Sequence, residues 1–514
     1  MRLANARLLD SLSSLGGASS SGDPLADIDI VDGLIERVSP AGSTPSAGER
    51  EDLEGATVIP GLWDEHTHMG QWARHRTRPS VLEAASADEA AALAGAAARA
   101  HAARSAGGDP LVLVGMRDGL WPAPPSREQL DAATGAVPTL IVSSDVHCSW
   151  PNSAMLQRLG RTLDGVLLRE DAAFDALQAV EGMLDTDGLD RLVVDALAAA
   201  AERGVVGVVD LEFDDAVGAW LRPARRTPTR VEVGVYQQDL ELAAQRGLRT
   251  GDPIAGSARM GRLKVITDGS LGTRTAWTTH PYAGATGVRA SGVRNVDDAD
   301  LDRLLARAGD LGLAAAVHAI GDAAVTAAVD AFERAARAGR TTADDRIEHA
   351  QLVSAADLPR IAALALTASV QPEHALDDRE LTESLWADRA GNAFRIRSLL
   401  EAGVSVVLGS DAPVTPLDPW RAIATAVTRT RGAEEPWQIE EAITIAQAIA
   451  ASSRTRIAAG APADLVVLGA ALPGEDDPHR VAAALRSMPV QRTVIGGVTV
   501  FDASDRGAAA ARQV

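Results

Sequence analysis

The sequence predicts an α/β protein built on a (β/α)8 barrel, and three observations support this fold class. Short apolar segments alternate with alanine-rich helical stretches through the middle of the 514-residue chain. Eight of these segments have the length and composition of buried strands, and strands that alternate with helices are typical of a parallel sheet or barrel. Several strand ends carry histidine or aspartate, as expected where the carboxyl ends of barrel strands form one mouth.

Runs of aliphatic residues define the predicted barrel strands within residues 57–454. They are Thr57–Asp64, Val205–Asp210, Val231–Tyr236, Arg262–Thr267, Leu313–His318, Arg346–His349, Leu366–Val370 and Ser405–Gly409. The gap between the first two is far longer than one strand crossover needs. We therefore expect an inserted subdomain at about residues 75–200.

The two ends of the chain share a pattern of short strands and turns. Residues 1–56 alternate apolar runs such as Ile28–Val31 with glycine- and serine-rich turns, and residues 455–514 repeat this texture at Ala463–Leu468 and Val490–Phe501. Such spacing indicates short antiparallel strands. We expect both termini to complete one small β-sandwich domain.

Composition excludes several classes of function. The single cysteine, Cys148, rules out an intramolecular disulfide framework and a thiolate metal cluster. A formal net charge of −21 disfavours nucleic-acid binding. No apolar run reaches the roughly 18 residues of a spanning helix, and the N-terminus lacks a secretory pattern. We expect a cytoplasmic protein with a small-molecule substrate and no membrane or nucleic-acid partner, with a homodimer as one possible assembly.

The first candidate metal ligands are His66 and His68 in the segment VIPGLWDEHTH. Two residues that are two positions apart on a strand point to the same face. At the carboxyl end of the first barrel strand, both imidazoles would face the mouth. By itself an HxH pair is more often incidental, so the remaining histidines decide the interpretation.

Further histidines stand at or just after later strand ends. His318, His349 and His374 follow this placement, and Asp411 closes the eighth strand, where alternation through Ser405 would turn its carboxylate to the same mouth. One such histidine would usually be a hydrogen-bonded core residue. Together they form a nitrogen and oxygen donor set suited to Zn²⁺, with Mn²⁺, Fe²⁺ or Co²⁺ as alternatives.

Lys264 is unusual because it lies within the apolar strand segment RLKVIT. Burial disfavours a charged amine and lowers its pKa. A neutral amine there can react with CO2 and give a carbamate whose two oxygens bridge two cations. The alternative is a surface lysine whose ammonium reaches solvent.

These segments resemble the amidohydrolase superfamily, and in particular the amidohydrolase family 3 branch that includes N-substituted formamide deformylases. The resemblance runs from Asn5 to the closing TVIGGVTVFD. It rests on HTH after PGLWD, KVITDGSLGTRTAW, VHAIGDAAV, RIEHAQ, VQPEH and LGSDAPV, in this order. The chain departs from the family pattern at Trp63 and in a shortened stretch around residues 161–170, which bears on the substrate.

The resemblance implies a metallo-dependent (β/α)8 barrel with a terminal β-sandwich, hydrolysis of a carbon–nitrogen bond and two divalent metals. It implies that His66, His68, His318 and His349 are metal ligands, that Lys264 is the bridging carbamate, and that Asp411 is a ligand and proton shuttle. His374 is a candidate oxyanion donor, or else a structural hydrogen-bonding residue.

Several residues in segments near the mouth are candidate substrate contacts. Arg274 would anchor a carboxylate or carbonyl, or simply fix its loop, and tryptophans would hold an apolar group, or simply pack. The candidates are Arg274, His147, Asn152, Asp322, Trp72 and Trp277.

Two rival functions remain open at the level of sequence. The first is a mononuclear deaminase or cyclic-amide hydrolase in which Lys264 is only structural. The second is a non-catalytic barrel that serves as a binding protein. Metal content distinguishes the first rival, and turnover on a broad amide panel distinguishes the second.

Overall fold

Aliphatic runs such as Val205–Asp210 form the central sheet in a computed structural model of the chain. The residues grouped by mutual contact make two compact units, Met1–Trp72 with Val194–Val514, and Ala73–Val193. The structure describes residues 1–9, 24–43, 49–104, 110–143, 148–162, 165–169, 171–183, 186–213, 215–474 and 477–505.

The described strands follow the order of the chain. They are β1 (Arg2–Leu8), β2 (Ala26–Val31), β3 (Leu34–Pro40), β4 (Arg50–Asp52), β5 (Thr57–Pro60), β6 (Leu62–Thr67), β7 (Leu111–Met116), β8 (Thr139–Ser143), β9 (Cys148–Pro151), β10 (Leu168–Arg169), β11 (Val205–Asp210), β12 (Arg230–Tyr236), β13 (Pro253–Ala255), β14 (Ala258–Ile266), β15 (Ala315–Ala319), β16 (Arg346–His349), β17 (Thr367–Val370), β18 (Ser405–Leu408), β19 (Leu465–Leu468), β20 (Val490–Ile495) and β21 (Val498–Asp502).

The described α-helices are numbered in the same way. They are α1 (Met69–His75), α2 (Ala87–Arg104), α3 (Arg127–Thr134), α4 (Ser153–Arg158), α5 (Asp171–Glu181), α6 (Thr186–Ala201), α7 (Ala216–Leu221), α8 (Leu240–Gln245), α9 (Asp298–Leu311), α10 (Asp322–Arg337), α11 (Leu358–Ala363), α12 (Pro372–Asp377), α13 (Arg379–Leu385), α14 (Ile396–Glu401), α15 (Pro419–Thr428), α16 (Ile445–Ala451) and α17 (Pro478–Arg486). Within the described ranges, none of them combines the length and apolarity needed to cross a membrane.

The predicted barrel is confirmed as a parallel sheet of eight consecutive neighbours. Its order is β6, β11, β12, β14, β15, β16, β17 and β18, with the short β13 antiparallel to β14. The ends of this sheet meet where the N–H of His68 donates to the carbonyl of Ala412 and the N–H of Asp411 donates to the carbonyl of His66, each at 2.8 Å. Gly409 allows this closure, because a Cβ there would lie 2.7 Å from the backbone nitrogen of His66.

Helix α9 illustrates how local sequence sets the elements around the barrel. The Asp297 side chain accepts a hydrogen bond from the N–H of Asp300, and Gly312 ends the helix at φ 72°. A side-chain N-cap and a left-handed glycine after the last turn are favourable helix termini. Leu301, Leu305 and Ala308 are buried on one side, the spacing expected of an amphipathic helix on a sheet.

The first predicted strand differs from expectation because it is two strands. The segment 57–64 divides at Gly61: β5 pairs with β1 and β19, whereas β6 pairs with β11 in the barrel. The Gly61 N–H donates to the carbonyl of Asp464, and a Cβ at Gly61 would lie 2.5 Å from the Val206 side chain. Close packing at this glycine lets the chain leave one sheet and enter the other.

Strands from both chain ends share a second sheet. Its order is β21, β20, β19, β5, β1, β2 and β3, with β4 beside β1. Leu3, Ile28, Leu465 and Val494 are buried in one apolar cluster that draws on both ends. The predicted limits of this domain, residues 1–56 and 455–514, stay a prediction, because its strands and the barrel strands belong to the same compact unit.

The second unit, Ala73–Val193, has its own sheet and core. The sheet has the order β10, β9, β8 and β7. Trp121 and Trp150 meet edge to face at 6.2 Å between ring centroids within its apolar core. Cys148 is buried in that core and is not part of a disulfide. This packing agrees with a structural cysteine.

Candidate metal centre

The predicted ligand side chains meet in one cavity of about 460 Å³ at the carboxyl edge of the barrel sheet. His66 is the penultimate residue of β6, His318 lies in β15, His349 ends β16, and Asp411 follows β18. Parallel strands bring the residues at their carboxyl ends together, whatever their separation in sequence. The cavity is lined by His66, His68, Gln71, Phe213, Tyr236, Lys264, Ile266, Ser270, Gly272, His318, Ile320, His349, Gln351, His374, Asp377, Asp378, Asp411, Pro413 and Val414.

Asp411 is shared by two groups of potential metal ligands. One group is His66, His68 and Asp411, and the other is His349, His374 and Asp411; within each group the donor atoms lie within 4.8 Å of one another. The Asp411 Oδ1 lies 3.3 Å from His68 Nε2 and 3.5 Å from His66 Nε2, and its Oδ2 lies 3.9 Å from His374 Nε2. The carboxylate therefore stands between the two groups.

Four buried histidine nitrogens in this cavity have no hydrogen-bond partner among the described residues. They are His68 Nδ1, His318 Nε2, His349 Nδ1 and His374 Nε2. Buried polar atoms without partners are uncommon in native proteins, and each calls for an explanation such as an ion or water. Imidazole and carboxylate donors suit Zn²⁺ and related divalent cations. The residues present therefore fit a divalent metal.

Glu348 holds His66 from the side opposite the cavity. Its Oε2 lies 2.7 Å from His66 Nδ1, and its other oxygen forms an ion pair with Arg346. Although burial opposes ionisation, Arg346, His66 and Lys264 together hold the pKa of Glu348 well below its usual range. An ionised Glu348 accepts the Nδ1–H of His66. The other ring nitrogen, Nε2, then carries the free lone pair and faces Asp411. Glu348 was not predicted from the sequence, although a carboxylate inside a predicted barrel strand, next to the candidate ligand His349, was a visible signal.

Lys264 is fully enclosed beside His66. Its side chain is buried, its Nζ lies 3.4 Å from His66 Nε2, and it is the single lysine among 49 Lys and Arg residues. Burial, partly offset by Glu348 and Asp411, lowers the pKa of Lys264 to about 8. The alternative of a surface lysine is excluded, and the lowered pKa gives this amine a larger neutral fraction near neutral pH than an exposed lysine has.

Asp411 reaches the cavity by a backbone turn instead of strand alternation. Strand β18 ends at Leu408, and Asp411 has a φ of 56°. His349 is likewise left-handed, at φ 71°. Non-glycine residues in this region are uncommon and cluster at functional sites. Burial opposes ionisation of Asp411, but His66, His68 and His349 outweigh it and keep its pKa well below the usual range.

Asp268 is a second carboxylate that the sequence analysis missed. It is fully buried and accepts hydrogen bonds from the N–H groups of Ile320, Gly321 and Trp277. Its Oδ1 also lies 3.4 Å from His318 Nε2. Asp268 thus ties the segment after β14 to the end of β15, where His318 stands. Its position two residues after the end of a strand was the available signal.

Four of the predicted substrate contacts are not among the described residues that line the cavity. Arg274 is exposed on its loop, and Asp322 accepts a hydrogen bond from the Thr279 N–H. Trp277 packs against Arg294, whose Cζ lies 4.7 Å from the centroid of the Trp277 ring. Trp72 is the fourth. These positions favour the loop-fixing and packing alternatives.

The remaining two predicted contacts belong to the second unit. Asn152 is fully buried and caps α4, and its amide also bonds to the Thr139 N–H and to the Val137 carbonyl. These hydrogen bonds give Asn152 a structural role inside this unit, and its contact with a substrate stays a prediction. His147 lies outside the described residues.

Apolar residues that the sequence analysis did not single out form part of the cavity wall. Phe213 stacks on His68 at 5.0 Å and on Tyr236 at 5.1 Å between ring centroids. Ile320 and Val414 add aliphatic surface. The wall is suited to an apolar portion of a ligand next to the histidine cluster.

Comparisons with known proteins agree with this architecture. The sequence profile of the amidohydrolase family matches residues 49–501. YtcJ of Bacillus subtilis is 26% identical over 94% of this chain and 97% of its own length. The N-substituted formamide deformylase of Arthrobacter pascens is 27% identical over 39% of this chain and 38% of its own length. The crystal structure of an uncharacterized metal-dependent hydrolase from Pyrococcus furiosus, 23% identical, has a TM-score of 0.75 and covers 93% of this chain and 99% of that chain.

Proposed function

The chain belongs to the amidohydrolase family, and on that premise we propose that it hydrolyses a carbon–nitrogen bond of a small amide-like molecule at a centre of two divalent cations. The observation that carries the proposal is the cluster of histidines around Asp411, in which four buried nitrogens have no hydrogen-bond partner among the described residues. A purely structural cluster would normally satisfy these nitrogens with hydrogen bonds.

The residues that would hold the cations are His66, His68, Lys264, His318, His349 and Asp411. Zn²⁺ suits this donor set, and Mn²⁺, Fe²⁺ or Co²⁺ are alternatives. Divalent cations bound there supply Lewis acidity and lower the pKa of a coordinated water from 15.7 towards about 7.

Lys264 would take part as a carbamate. The lone pair of Nζ attacks the carbon of CO2, a new N–C bond forms, and one N–H proton leaves to solvent. The product has a single negative charge shared by two oxygens. The pKa of about 8 supports this role, because it leaves a reactive neutral fraction of the amine.

Asp411 and His374 would handle protons and charge. The Asp411 carboxylate would accept a proton from the attacking water and return it to the nitrogen that leaves. A protonated nitrogen of His374 would donate a hydrogen bond to the oxygen that gains charge in the transition state. Their 3.9 Å separation supports action on one substrate group.

The substrate class we propose first is an N-substituted formamide with an apolar substituent. Support comes from the name of the Arthrobacter pascens relative and from the apolar wall of Phe213, Ile320 and Val414. The test is a panel of formamides, N-acyl amines, ureas and cyclic amides, assayed with metal-loaded protein for release of amine and acid. We expect formamides to be turned over fastest. Absence of turnover across the panel would overturn the proposed activity.

A further inference from the structure

Asp378 is a carboxylate of the cavity that the proposed chemistry does not use. It stands at the N-cap position of α13 but makes no capping hydrogen bond with its side chain. Instead its Oδ2 accepts a hydrogen bond from Gln351 Nε2 at 3.1 Å, and both residues line the cavity. A carboxylate normally stabilises a helix from this position, so its orientation towards the cavity forgoes a local stabilising contact.

The described residues that line the cavity include more carboxylates than cationic side chains. Asp377 is paired with Arg431 at 2.8 Å, on an exposed part of the surface. The one Lys or Arg among the lining residues is Lys264, and it lies against His66 within the metal centre. Among the described residues, no guanidinium lines the cavity, and the Asp378 carboxylate is hydrogen-bonded by the neutral amide of Gln351.

This arrangement has opposite consequences for anionic and cationic ligand groups. Burial raises the pKa of Asp378, and His374 and Gln351 offset only part of this effect. The carboxylate therefore ionises at a cost, because it loses hydration in the cavity. An ammonium of the ligand would replace that hydration with a charge-assisted hydrogen bond. A ligand carboxylate near Asp378 would lose its own hydration and meet a like charge.

We propose that Asp378, held by Gln351, is a specificity-determining residue that selects substrates carrying an amino or similarly cationic N–H group beyond an apolar spacer, and that it disfavours substrates carrying a carboxylate there. Phe213, Ile320 and Val414 would contact the spacer. The inference rests on the proposed function for the position of the reacting bond, because the metal centre would fix the amide end.

The test uses a matched series of N-formylbenzylamines with aminomethyl, methyl or carboxylate groups at the para position. We expect kcat/KM of the aminomethyl compound to exceed that of the methyl compound by about tenfold or more, the scale of a charge-assisted hydrogen bond. The carboxylate compound should be the poorest. In Asp378→Asn, the kcat/KM of the aminomethyl compound should be within about threefold of that of the methyl compound. We expect the change to lie mainly in KM.

Glu383→Gln is the matched control, since it removes a carboxylate of α13 that pairs with Arg379 and does not line the cavity. It should keep the aminomethyl preference of the wild type. A wild-type series without that preference would overturn the proposal and needs no variant. An equal loss of kcat on all three compounds in Asp378→Asn would also overturn it, because it would make Asp378 a positioning residue for His374.

A binding measurement separates this inference from the proposed activity. Benzohydroxamates chelate divalent metals without being substrates, and the same three para groups can be compared by calorimetry on metal-loaded protein. Tighter binding of the aminomethyl compound, lost in Asp378→Asn, would support the specificity role even if no formamide is hydrolysed. Hydrolysis of formamides with no amino preference in either assay would overturn the role of Asp378 alone.

Discussion

Glu348 Oε2 lies 2.7 Å from His66 Nδ1, and this contact determines which nitrogen of His66 is free to face the cavity. Arg346, paired with Glu348 and lying 3.1 Å from Glu65, anchors the carboxylate within the barrel. A carboxylate that accepts the second N–H of a ligating histidine fixes the tautomer and raises the basicity of the other nitrogen. Glu348 would thus support metal binding without touching the metal.

Replacing Glu348 should weaken metal binding. We expect Glu348→Gln to raise the metal dissociation constant by about 10–100-fold, the usual cost of losing such a supporting carboxylate. The measurement is competition with a chelator. Glu373→Gln is the control, because Glu373 is also buried and pairs with Arg486. Equal affinity in wild type and Glu348→Gln would remove Glu348 from the centre.

Lys264→Ala should lose metal and activity together, because the variant lacks the amine that forms the bridging carbamate. Formate, acetate or propionate should restore part of the activity, since a small carboxylate can occupy the space of the missing group and supply two oxygens. The measurement is kcat and metal content with and without each acid. Full activity in the variant without added acid would make Lys264 a wall residue only.

The carbamate should form more readily as pH rises through about 8. The neutral amine is the nucleophile, and burial lowers the pKa of Lys264 to about 8, so the reactive fraction is small below that value and large above it. The measurement is 13C NMR of metal-free protein with 13C-bicarbonate. Because Lys264 is the single lysine, Lys264→Arg should leave only the signal of the N-terminal amine. A lysine carbamate signal that falls with rising pH would contradict the assignment.

Gly409 should be needed for barrel closure. A Cβ at this position would lie 2.7 Å from the His66 nitrogen and 2.8 Å from the His66 Cβ. Forcing a group into such a contact typically costs about 1–3 kcal/mol of unfolding free energy, so Gly409→Ala should lower stability and displace His66. Gly391→Ala is the control, since no atom lies within 4 Å of its added Cβ. Equal denaturant midpoints for the two variants would refute the requirement for glycine at position 409.

The barrel could be predicted from sequence because its signal is local and repeated. Strands such as β11 and β18 are short, largely aliphatic runs, and the carboxyl ends of parallel strands converge by topology alone. This also explains why His318 and His349, 31 positions apart in the printed sequence, could be grouped: their rings are 4.4 Å apart between centroids.

The supporting residues could not be predicted in the same way. The bond from Glu348 to His66 depends on the register between distant strands, which no local pattern records. Strand alternation predicted that Asp411 faces the site. The side chain does face it, but through a left-handed backbone conformation after the strand has ended. Asn152 caps α4, a role that the sequence did not single out because a polar residue in a turn looks the same whether it caps a helix or binds a ligand.

Asp411 has two roles in the proposed two-metal hydrolytic centre, metal binding and proton transfer, and Asp411→Asn separates them. An asparagine amide keeps an oxygen donor for a metal but does not accept a proton near pH 7. General acid–base catalysis is typically worth about 10²–10⁴-fold, so kcat should fall by at least about 10²-fold while the fold is kept.

The most direct measurement is elemental analysis of the purified protein alongside kcat, for the wild type and Asp411→Asn loaded with zinc or manganese. We expect about two divalent metals per wild-type chain, as in other two-metal sites, and a variant that retains metal but loses turnover. A metal-free, fully active wild type would contradict the account, as would a variant that keeps its metals and turns over within about tenfold of the wild type.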